Sequence, residues 1–326
     1  MRRCYRAPSG ASIRIPDLKT DNVPASLIPP ITDSTEAADI LTRFFKSHAG
    51  RVLVLTGAGI STDSGVPDYR GEQGTYITNP EHRPIFYPEF ISSEDFRKRY
   101  WARGYLGWSQ MANARPNPSH YAITWLVERG YIQHVVTQNV DRFHHKAGGT
   151  DDKFTELHGT LYFVECLDCK ATVDRVHYQH RIHARNPAWA AYQQKLVRTG
   201  EKPQTNPDGD VELPSNVNYT DFDIPPCQSC GSRLMKPLVV FFGEHVNPKK
   251  SIVAEQSVQD ASAVLVIGSS LATYSSYRLV RLANDQSKPI VILNKGPTRA
   301  DPLALSRLHV GCTPVLEQVR MQLENI

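Results

Sequence analysis

Four of the six cysteines occur as two Cys-x-x-Cys pairs, a spacing that lets two thiolates share one metal ion. The pairs are Cys166 with Cys169 and Cys227 with Cys230. Four sulfur ligands would complete a tetrahedral, structural Zn²⁺ site that ties together the long stretch between the pairs. Disulfides within each pair, or a redox-active pair, are the alternatives. We set aside the nearby His177, His180 and His183 because four cysteines already fill the coordination sphere of zinc.

A glycine-rich turn follows the first strongly apolar run of the chain. Gly57-Ala58-Gly59 comes directly after residues 51–56, and glycines there would let the backbone approach a pyrophosphate at the N-terminus of a following helix. The dehydrogenase fingerprint also requires a glycine at the position of Thr62 and an acidic residue after the second strand. Because the chain lacks both, a structural tight turn is the alternative.

Composition excludes several classes of protein. With 326 residues, 40% of them hydrophobic and 21% charged, the chain reads as an ordinary globular protein of about two domains. The longest uncharged candidate, residues 261–277, is interrupted by glycine, serine and threonine, so we expect no membrane span. Most of the net charge of +4 comes from residues 1–30, which gives no reason to expect nucleic acid as the main partner.

The N-terminal residues have the composition of a targeting segment. Residues 1–16 contain Arg2, Arg3, Arg6 and Arg14, with serines and apolar residues between them and no acidic residue. This pattern is typical of a mitochondrial presequence and lacks the apolar region of a secretory signal. We therefore expect the mitochondrial matrix as the location, with a disordered basic tail as the alternative, and we leave residues 1–30 out of the fold prediction.

The elements that must position these groups alternate between strand and helix. Buried strands are indicated by apolar, β-branched runs at residues 51–56, 132–137, 238–242, 263–267 and 289–293. Helical spacing marks residues 37–45, 119–128, 251–259 and 275–284. Asp33, with its neighbours Thr32 and Ser34, offers an N-cap for the first helix. The alternation predicts a doubly wound α/β fold around a parallel sheet.

The stretch between the cysteine pairs differs from the rest of the chain. It is rich in arginine, histidine, asparagine and proline and has few aliphatic runs. We predict a small zinc-binding domain, residues 161–233, inserted into a Rossmann-like domain that consists of residues 31–160 and 234–326.

Five motifs occur in an order that is similar to one protein family. The motifs are Gly57-Ala-Gly-Ile-Ser61, Ser64-Gly-Val-Pro-Asp-Tyr-Arg70, Thr137-Gln-Asn-Val-Asp141, Glu156-Leu-His-Gly159 and Gly268-Ser-Ser270. Over about residues 35–315 the chain resembles the sirtuin (Sir2) family of NAD-dependent protein-lysine deacylases. Shorter segments, among them Arg99-Tyr-Trp-Ala-Arg103 and Pro207-Asp-Gly-Asp-Val211, resemble the class II mitochondrial branch that is known for lipoamidase and ADP-ribosyltransferase activities.

The resemblance implies a chemistry for the polar motif residues. Sirtuins break the bond between nicotinamide and ribose while the acyl-lysine oxygen attacks the sugar carbon, and a base then activates a ribose hydroxyl. By its place in the Glu-Leu-His-Gly motif, His158 is implied as that general base, a role that suits a neutral imidazole. A hydrogen-bonded core histidine is the alternative. Asn139 and Asp141 are implied to bind ribose and the nicotinamide carboxamide, with a polar turn at a strand end as the alternative.

NAD is the implied co-substrate. Its implied contacts are Gly57, Ala58, Gly59, Ser61, Asp68, Tyr69, Arg70, Gln138, Asn139, Asp141, Gly268, Ser269, Ser270, Asn294, Lys295, Gly296 and Cys312. Arg70 would supply positive charge, and Tyr69 stands where many relatives have phenylalanine. Cys312 would contact adenine through its backbone, or else be a small buried hydrophobe.

The acyl chain and the substrate peptide have implied sites as well. Tyr100 and Arg103 lie on one helix face and resemble the pair that recognises acidic acyl groups in desuccinylase-type sirtuins. We therefore expect a pocket that accepts carboxylated acyl chains, with a packed aromatic face and a solvated arginine as the alternative. The peptide is implied to lie as a strand between residues 239–244 and 272–274.

The resulting hypothesis is a monomeric NAD-dependent protein-lysine deacylase of the mitochondrial matrix. It would act on acyl-lysine proteins and yield nicotinamide, 2′-O-acyl-ADP-ribose and free lysine. Protein mono-ADP-ribosylation and a non-enzymatic NAD-sensing scaffold are the alternatives. Hydride transfer is disfavoured because the third fingerprint glycine and the ribose-binding carboxylate are both missing.

Overall fold

A computed structural model describes residues 28–325 together with the backbone of two short N-terminal strands, Arg3–Arg6 (β1) and Ser12–Ile15 (β2). These two strands pair antiparallel. Most of the predicted presequence, residues 1–30, lies outside the described residues. Among the helices that the structure describes, none combines the length and the apolar character needed to cross a membrane.

Two sheets organise the rest of the chain. Their strands are Val52–Thr56 (β3), Ile132–Thr137 (β4), Phe154–Glu156 (β5), Gly159–Cys166 (β6), Thr172–Asp174 (β7), Met235–Val239 (β8), Ala263–Ile267 (β9), Ile290–Leu293 (β10) and Ser306–Leu308 (β11). The larger sheet has the order β11-β10-β9-β3-β4-β5, and every neighbouring pair is parallel. Because the strand order reverses between β3 and β9, the connections leave a crevice at the carboxyl ends of these two strands.

Helices cover both faces of the parallel sheet. The helices are Ser34–Ser47 (α1), Thr75–Thr78 (α2), Tyr87–Ser92 (α3), Glu94–Asn113 (α4), Pro118–Glu128 (α5), Phe143–Lys146 (α6), Arg175–Arg185 (α7), Pro187–Thr199 (α8), Pro248–Asp260 (α9), Tyr274–Asp285 (α10) and Cys312–Glu324 (α11). One apolar core joins α1, α5 and α11 to one face, and a second joins α9 and α10 to the other. Burial on both faces explains why β3 and β9 are continuously apolar. The doubly wound α/β prediction is confirmed.

The local predictions for helices and central strands also hold. The carboxylate of Asp33 caps α1 by accepting a hydrogen bond from the backbone of Glu36 at 2.7 Å. The predicted helices all form, each with a few more residues than the apolar spacing marked. The edge strands β5 and β11, three residues each, had no sequence signal of their own.

One predicted strand belongs to the other sheet. Residues 238–242 were expected in the parallel sheet, but the strand formed here is β8, which pairs antiparallel with β6 in the order β7-β6-β8. The prediction was wrong because a short apolar run indicates burial without indicating its pairing partner. β8 lies outside the predicted insertion of residues 161–233, and the domain boundaries themselves stay a prediction.

A third apolar core lies beneath the small sheet. It is built around large side chains of α4 and α7, among them Trp101 and Tyr178, whose ring centroids are 4.8 Å apart. The indole nitrogen of Trp101 donates to the carbonyl of Met235 on β8 at 2.9 Å. This core fixes α4 against the small sheet, and α4 in turn carries Tyr100 and Arg103.

A buried ion cluster fastens the loop at residues 206–212 to α4. The guanidinium of Arg103, 3% exposed, lies 2.9 Å from a carboxylate oxygen of Asp210 and 3.0 Å from one of Glu212. Its Nε also donates to the carbonyl of Val211 at 2.8 Å. Asn206 donates to both carboxylates, at 2.6 Å and 2.8 Å. The cluster therefore holds two negative charges around one positive charge.

Loss of that positive charge should destabilise the fold. In Arg103→Met the side chain keeps its length, but two largely buried carboxylates lose their counter-charge. We expect the free energy of unfolding to fall by roughly 3 kcal/mol, measured by urea denaturation. The control is Arg43→Met, an exposed arginine of α1 for which no ion pair is found within residues 28–325. Equal small losses in the two variants would contradict a structural role for the Arg103 cluster.

Candidate active site

A cleft of about 1000 Å³ opens at the carboxyl ends of the parallel strands. The loops that follow β3, β4, β9 and β10 meet there, because parallel strands end at the same edge of a sheet. All residues predicted from the sequence to bind NAD or the acyl chain line this cleft, together with His158. Shared lining does not assign roles, so the individual roles stay predictions.

The two glycine loops touch through their backbones. The N–H of Gly59 donates to the carbonyl of Gly268 at 2.8 Å. A Cβ on Gly59 would lie 2.9 Å from that oxygen, and Gly268 has a φ of +59°, which favours glycine. The chain after Gly57 continues as two 3₁₀ turns, Ala58–Ile60 and Thr62–Ser64. The expected helix N-terminus behind the glycines is therefore absent, and the glycines also serve the packing of the two loops.

The loop at residues 66–74 carries the predicted cation of the site. The guanidinium of Arg70 lies 5.1 Å from the centre of the Tyr76 ring. Asp68 accepts a hydrogen bond from the N–H of Gly71 at 2.8 Å, which closes the turn around Arg70. Tyr69 packs 5.7 Å from Tyr76, measured between ring centroids. Both Tyr69 and Arg70 are thus held at the wall of the cleft.

A buried polar network forms the floor of the cleft. The hydroxyl of Ser61 donates to the carboxylate of Asp141 at 2.7 Å and accepts from the amide of Asn139 at 3.1 Å. Asn139 also donates to the carbonyl of Gly57 at 3.1 Å, and Asp141 accepts from the N–H of Phe143 at 2.9 Å. Burial raises the pKa of Asp141, and the hydrogen bonds from Phe143 and Ser61 partly offset this rise. Asn139 and Asp141 therefore have fixed orientations before any ligand binds.

The imidazole of His158 is held at both nitrogens. Nδ1 lies 3.1 Å from the carbonyl of Gln138, and Nε2 lies 2.8 Å from the hydroxyl of Ser275. Since a carbonyl only accepts, Nδ1 carries the proton and Nε2 carries the lone pair. Burial, with a smaller contribution from the charge of Lys250, lowers the pKa of His158 to about 4, although the hydrogen bond to Gln138 acts in the opposite direction. The ring is therefore neutral at pH 7 and can accept a proton at Nε2.

The segments predicted to flank a peptide also border the cleft. Residues 239–244 and 272–274 line it, and the N–H of Val240 donates to the carbonyl of His158 at 2.8 Å. Beneath them the buried ammonium of Lys236 lies 3.1 Å from the carboxylate of Glu244, which in turn accepts from the N–H of Phe241 at 2.8 Å. This pair fixes the course of the chain from β8 into the cleft wall.

The charge expected in the acyl pocket needs correction. Tyr100 and Arg103 both line the cleft, but Arg103 is neither solvated nor free, because Asp210 and Glu212 already neutralise it. A third acid, Asp208, lines the same wall, and burial and the charge of Asp210 raise its pKa. Arg103 therefore offers no unpaired positive charge, and the acyl group that the pocket accepts stays a prediction.

Tyr100 belongs to a packed aromatic face, as the alternative proposed. Its ring centroid lies 5.6 Å from that of Phe90 and 5.1 Å from that of Phe241. Burial, followed by the charge of Asp208, raises the pKa of Tyr100, so its phenol stays protonated. The wall at this end of the cleft is thus aromatic, with the guanidinium of Arg103 paired to two carboxylates.

The four cysteines of the two pairs meet in space. All four Sγ atoms lie within 4.8 Å of one another, and the Cys166–Cys230 and Cys169–Cys227 separations are both 3.6 Å. Zn–S bonds of about 2.3 Å in a tetrahedron place sulfurs about 3.8 Å apart, so the set fits a zinc ion. A disulfide would need about 2 Å. His183 instead shares a hydrogen bond of 2.8 Å with the hydroxyl of Tyr105.

Several polar residues of the site were not found from the sequence. Ser275 contacts the imidazole of His158, and Ser276 donates to the side chain of Gln138 at 2.8 Å. Both lie in the first turn of α10, where serines are common for local reasons. Asp208 was part of a quoted motif but was not assigned to the pocket. Only the tertiary structure brings these groups to the cleft.

Comparison with known proteins identifies a family. The model of the Sir2 family matches residues 57–275. The chain is 43% identical over 294 residues to the NAD-dependent protein lipoamidase sirtuin-4, mitochondrial, of Homo sapiens, which covers 90% of this chain and 88% of that protein. It is 42% identical over 288 residues to the NAD-dependent protein deacylase SIR4 of Batrachochytrium dendrobatidis. This alignment covers 87% of this chain and 93% of that protein.

Solved structures have the same fold. A Sir2 complex with a deacetylated p53 peptide and 3′-O-acetyl ADP-ribose matches with a TM-score of 0.66 at 26% identity, covering 87% of this chain and 97% of that chain. A Sir2 complex with a p53 peptide and NAD⁺ matches with a TM-score of 0.63 at 26% identity, covering 88% of this chain and 98% of that chain. The ordered motifs, the sheet order and these likenesses agree, and the chain belongs to the Sir2 family.

Proposed function

We propose that this protein removes acyl groups from lysine side chains with His158 as general base, releasing nicotinamide and 2′-O-acyl-ADP-ribose. As a Sir2-family protein it is an NAD-dependent protein deacylase. The observation that carries the finer proposal is the neutral imidazole of His158. Nδ1 is committed to the carbonyl of Gln138, so the lone pair that can take a proton is on Nε2, which lies against the hydroxyl of Ser275.

The residues around the cleft fit a dinucleotide, and different residues would bind its different parts. NAD supplies the ribose that receives the acyl group. The backbones of Gly57 and Gly268 line the cleft where their two loops pack against each other, and Arg70 provides positive charge. Asn139 and Asp141, oriented by Ser61, can hold a sugar hydroxyl and a carboxamide. These five groups bind and orient the ligand.

His158 would move the proton. Once the glycosidic bond has opened, Nε2 takes the proton of a ribose hydroxyl, and the sugar oxygen attacks the carbon that came from the acyl carbonyl. The proton that remains on Nδ1 keeps its bond to the carbonyl of Gln138, so the ring stays in place when it becomes positively charged. The buried environment that lowers its pKa favours prompt loss of that proton to solvent.

The cysteine cluster is proposed as a structural zinc site. Four thiolates leave no open position for water, so a bound ion would hold β6 to the segment that carries Cys227 and Cys230, without a part in the chemistry. The cluster lines no part of the cleft.

The acyl group is proposed to be uncharged. Arg103 is paired with Asp210 and Glu212, so this side chain has no unpaired positive charge left for a carboxylated chain. The aromatic face around Tyr100 offers apolar contact to a neutral chain instead. We further propose that the protein works as a monomer in the mitochondrial matrix. The basic leader and the mitochondrial relatives support that location.

Replacement of the base should separate the two halves of the reaction. In His158→Ala we expect deacylation to fall by about 10²–10⁴-fold, because the proton of the sugar hydroxyl has no acceptor. Exchange of labelled nicotinamide into NAD, which needs no base, should persist in the presence of acyl peptide. His177→Ala, an exposed histidine on α7, is the control. Unchanged deacylation in His158→Ala would refute the assigned base, and labelled protein without peptide turnover would favour ADP-ribosylation.

A matched pair of peptides tests the charge of the acyl pocket. Succinyl-lysine and butyryl-lysine chains have the same number of carbons, but only the first ends in a carboxylate. We expect kcat/KM for the succinyl peptide to be at least about tenfold lower, since Arg103 is already paired and the buried carboxylate of that chain would lack a partner. Asp210→Asn should narrow this gap because it removes one of the negative charges. Faster turnover of the succinyl peptide by the wild-type protein would show that the pocket selects acids after all.

Metal analysis tests the cysteine cluster. We expect about one zinc ion per chain, and a strong chelator should lower the melting temperature by removing it. Cys227→Ser should lose the metal, whereas Cys312→Ser, outside the cluster, should retain it. A metal-free protein whose unfolding is insensitive to chelator would rule out a structural zinc site.

A further inference from the structure

The hydroxyl of Ser275 touches the one ring nitrogen of His158 that carries a lone pair. The separation from Oγ to Nε2 is 2.8 Å, a short and well-formed hydrogen bond. Since Nδ1 holds the ring proton, Ser275 is the donor in this bond. Ser275 lies one residue inside the N-terminus of α10 and lines the cleft.

The first turn of α10 also fixes the residue that orients the imidazole. The hydroxyls of Ser276 and Thr273 donate to the side-chain carbonyl of Gln138, at 2.8 Å and 3.3 Å. The amide of Gln138 donates to the hydroxyl of Ser269 at 2.8 Å. The backbone carbonyl of Gln138 is the acceptor for Nδ1 of His158. Residues at the N-terminus of α10 therefore hold both nitrogens of the ring. Ser275 contacts Nε2 directly, and Thr273 and Ser276 fix Gln138, whose carbonyl accepts from Nδ1.

Hydrogen bonding within α10 does not explain the position of the Ser275 hydroxyl. Ser276, not Ser275, bonds back to the carbonyl of Thr273, the residue that precedes α10. Within residues 28–325, the hydroxyl of Ser275 forms one hydrogen bond, to Nε2 of His158. A solvent-facing alanine would serve the helix equally well. The position of this hydroxyl is therefore explained by the imidazole rather than by the fold of α10.

In the proposed reaction the sugar hydroxyl must use the same lone pair. Nδ1 is bonded to a backbone carbonyl, so Nε2 alone can receive the proton. Ser275 and the sugar hydroxyl therefore compete for one acceptor. We infer that Ser275 is a positioning residue of the deacylation step. It keeps the neutral ring aimed into the cleft and yields Nε2 to the sugar hydroxyl when the cofactor is bound. This inference rests on the proposed role of His158 as general base.

The bond has a measurable consequence in the ligand-free protein. A hydrogen bond donated to Nε2 stabilises the neutral ring, so its removal should make protonation easier. The charged group that acts on the ring from the neighbouring helix, Lys250 on α9, is unchanged by the substitution. Histidine NMR without NAD should therefore show the His158 titration at a pH about one unit higher in Ser275→Ala than in the wild type. Ser275→Thr keeps a hydroxyl and should titrate like the wild type.

Kinetics should show a selective loss. In Ser275→Ala we expect deacylation to fall roughly tenfold, since the ring is then held at Nδ1 alone and can rotate about that one bond. Nicotinamide exchange and the KM for NAD should stay within about twofold, because neither needs the base. Ser275→Thr should recover most of the deacylation. The control is Ser257→Ala on α9, which also removes a helix hydroxyl, one that bonds only to the carbonyl of Val253 among the described residues.

The outcomes separate this inference from the proposed function. If His158→Ala abolishes deacylation but Ser275→Ala changes neither the NMR titration nor the rate, the positioning role is wrong and the base stands. Equal losses of exchange and deacylation in Ser275→Ala would also overturn the inference, since that pattern reports a damaged cleft. If His158→Ala itself deacylates normally, the proposed function fails first.

Discussion

The contact between two glycine backbones at the reversal point of the sheet is the constraint on which the site depends. The loops after β3 and β9 cross there with a hydrogen bond of 2.8 Å and with no room for a Cβ between them. This contact fixes the turn that carries Ser61, whose hydroxyl orients Asn139 and Asp141. The polar floor of the cleft thus takes its geometry from the order of the strands, which places the loops after β3 and β9 side by side.

The central strands and the helices could be predicted because each has a one-dimensional signature. A strand buried on both faces is a continuous apolar run, and a helix on such a sheet has one apolar stripe. The pairing of β8 could not be predicted, since the same apolar run suits a parallel neighbour and the antiparallel neighbour β6. Edge strands of three residues, such as β5, bury too little to leave any pattern.

The site was predictable where its residues directly follow strands and unpredictable where they do not. His158 and Asn139 lie in motifs at strand ends, and the closure of the sheet brings such ends together. Ser275 lies in a helix turn, where a serine is equally explained by local hydrogen bonding. The tautomer of His158 likewise depends on the backbone carbonyl of Gln138, which no side-chain motif encodes. Chemistry that rests on backbone atoms leaves little trace in a sequence.

Arg103 illustrates why a motif can locate a pocket and still misjudge its charge. The spacing of Tyr100 and Arg103 correctly placed both on one face of α4, facing the cleft. The carboxylate of Glu212, 109 residues later, neutralises the guanidinium together with that of Asp210. Within a buried cluster such pairing cancels most of the electrostatic field of the guanidinium. The nearest unpaired polar or charged group then determines the electrostatic potential at a bound ligand. That group lies in the loop at residues 206–212. In the proposed acyl pocket, we therefore expect substitutions in this loop to change acyl selectivity while Tyr100 and Arg103 stay in place.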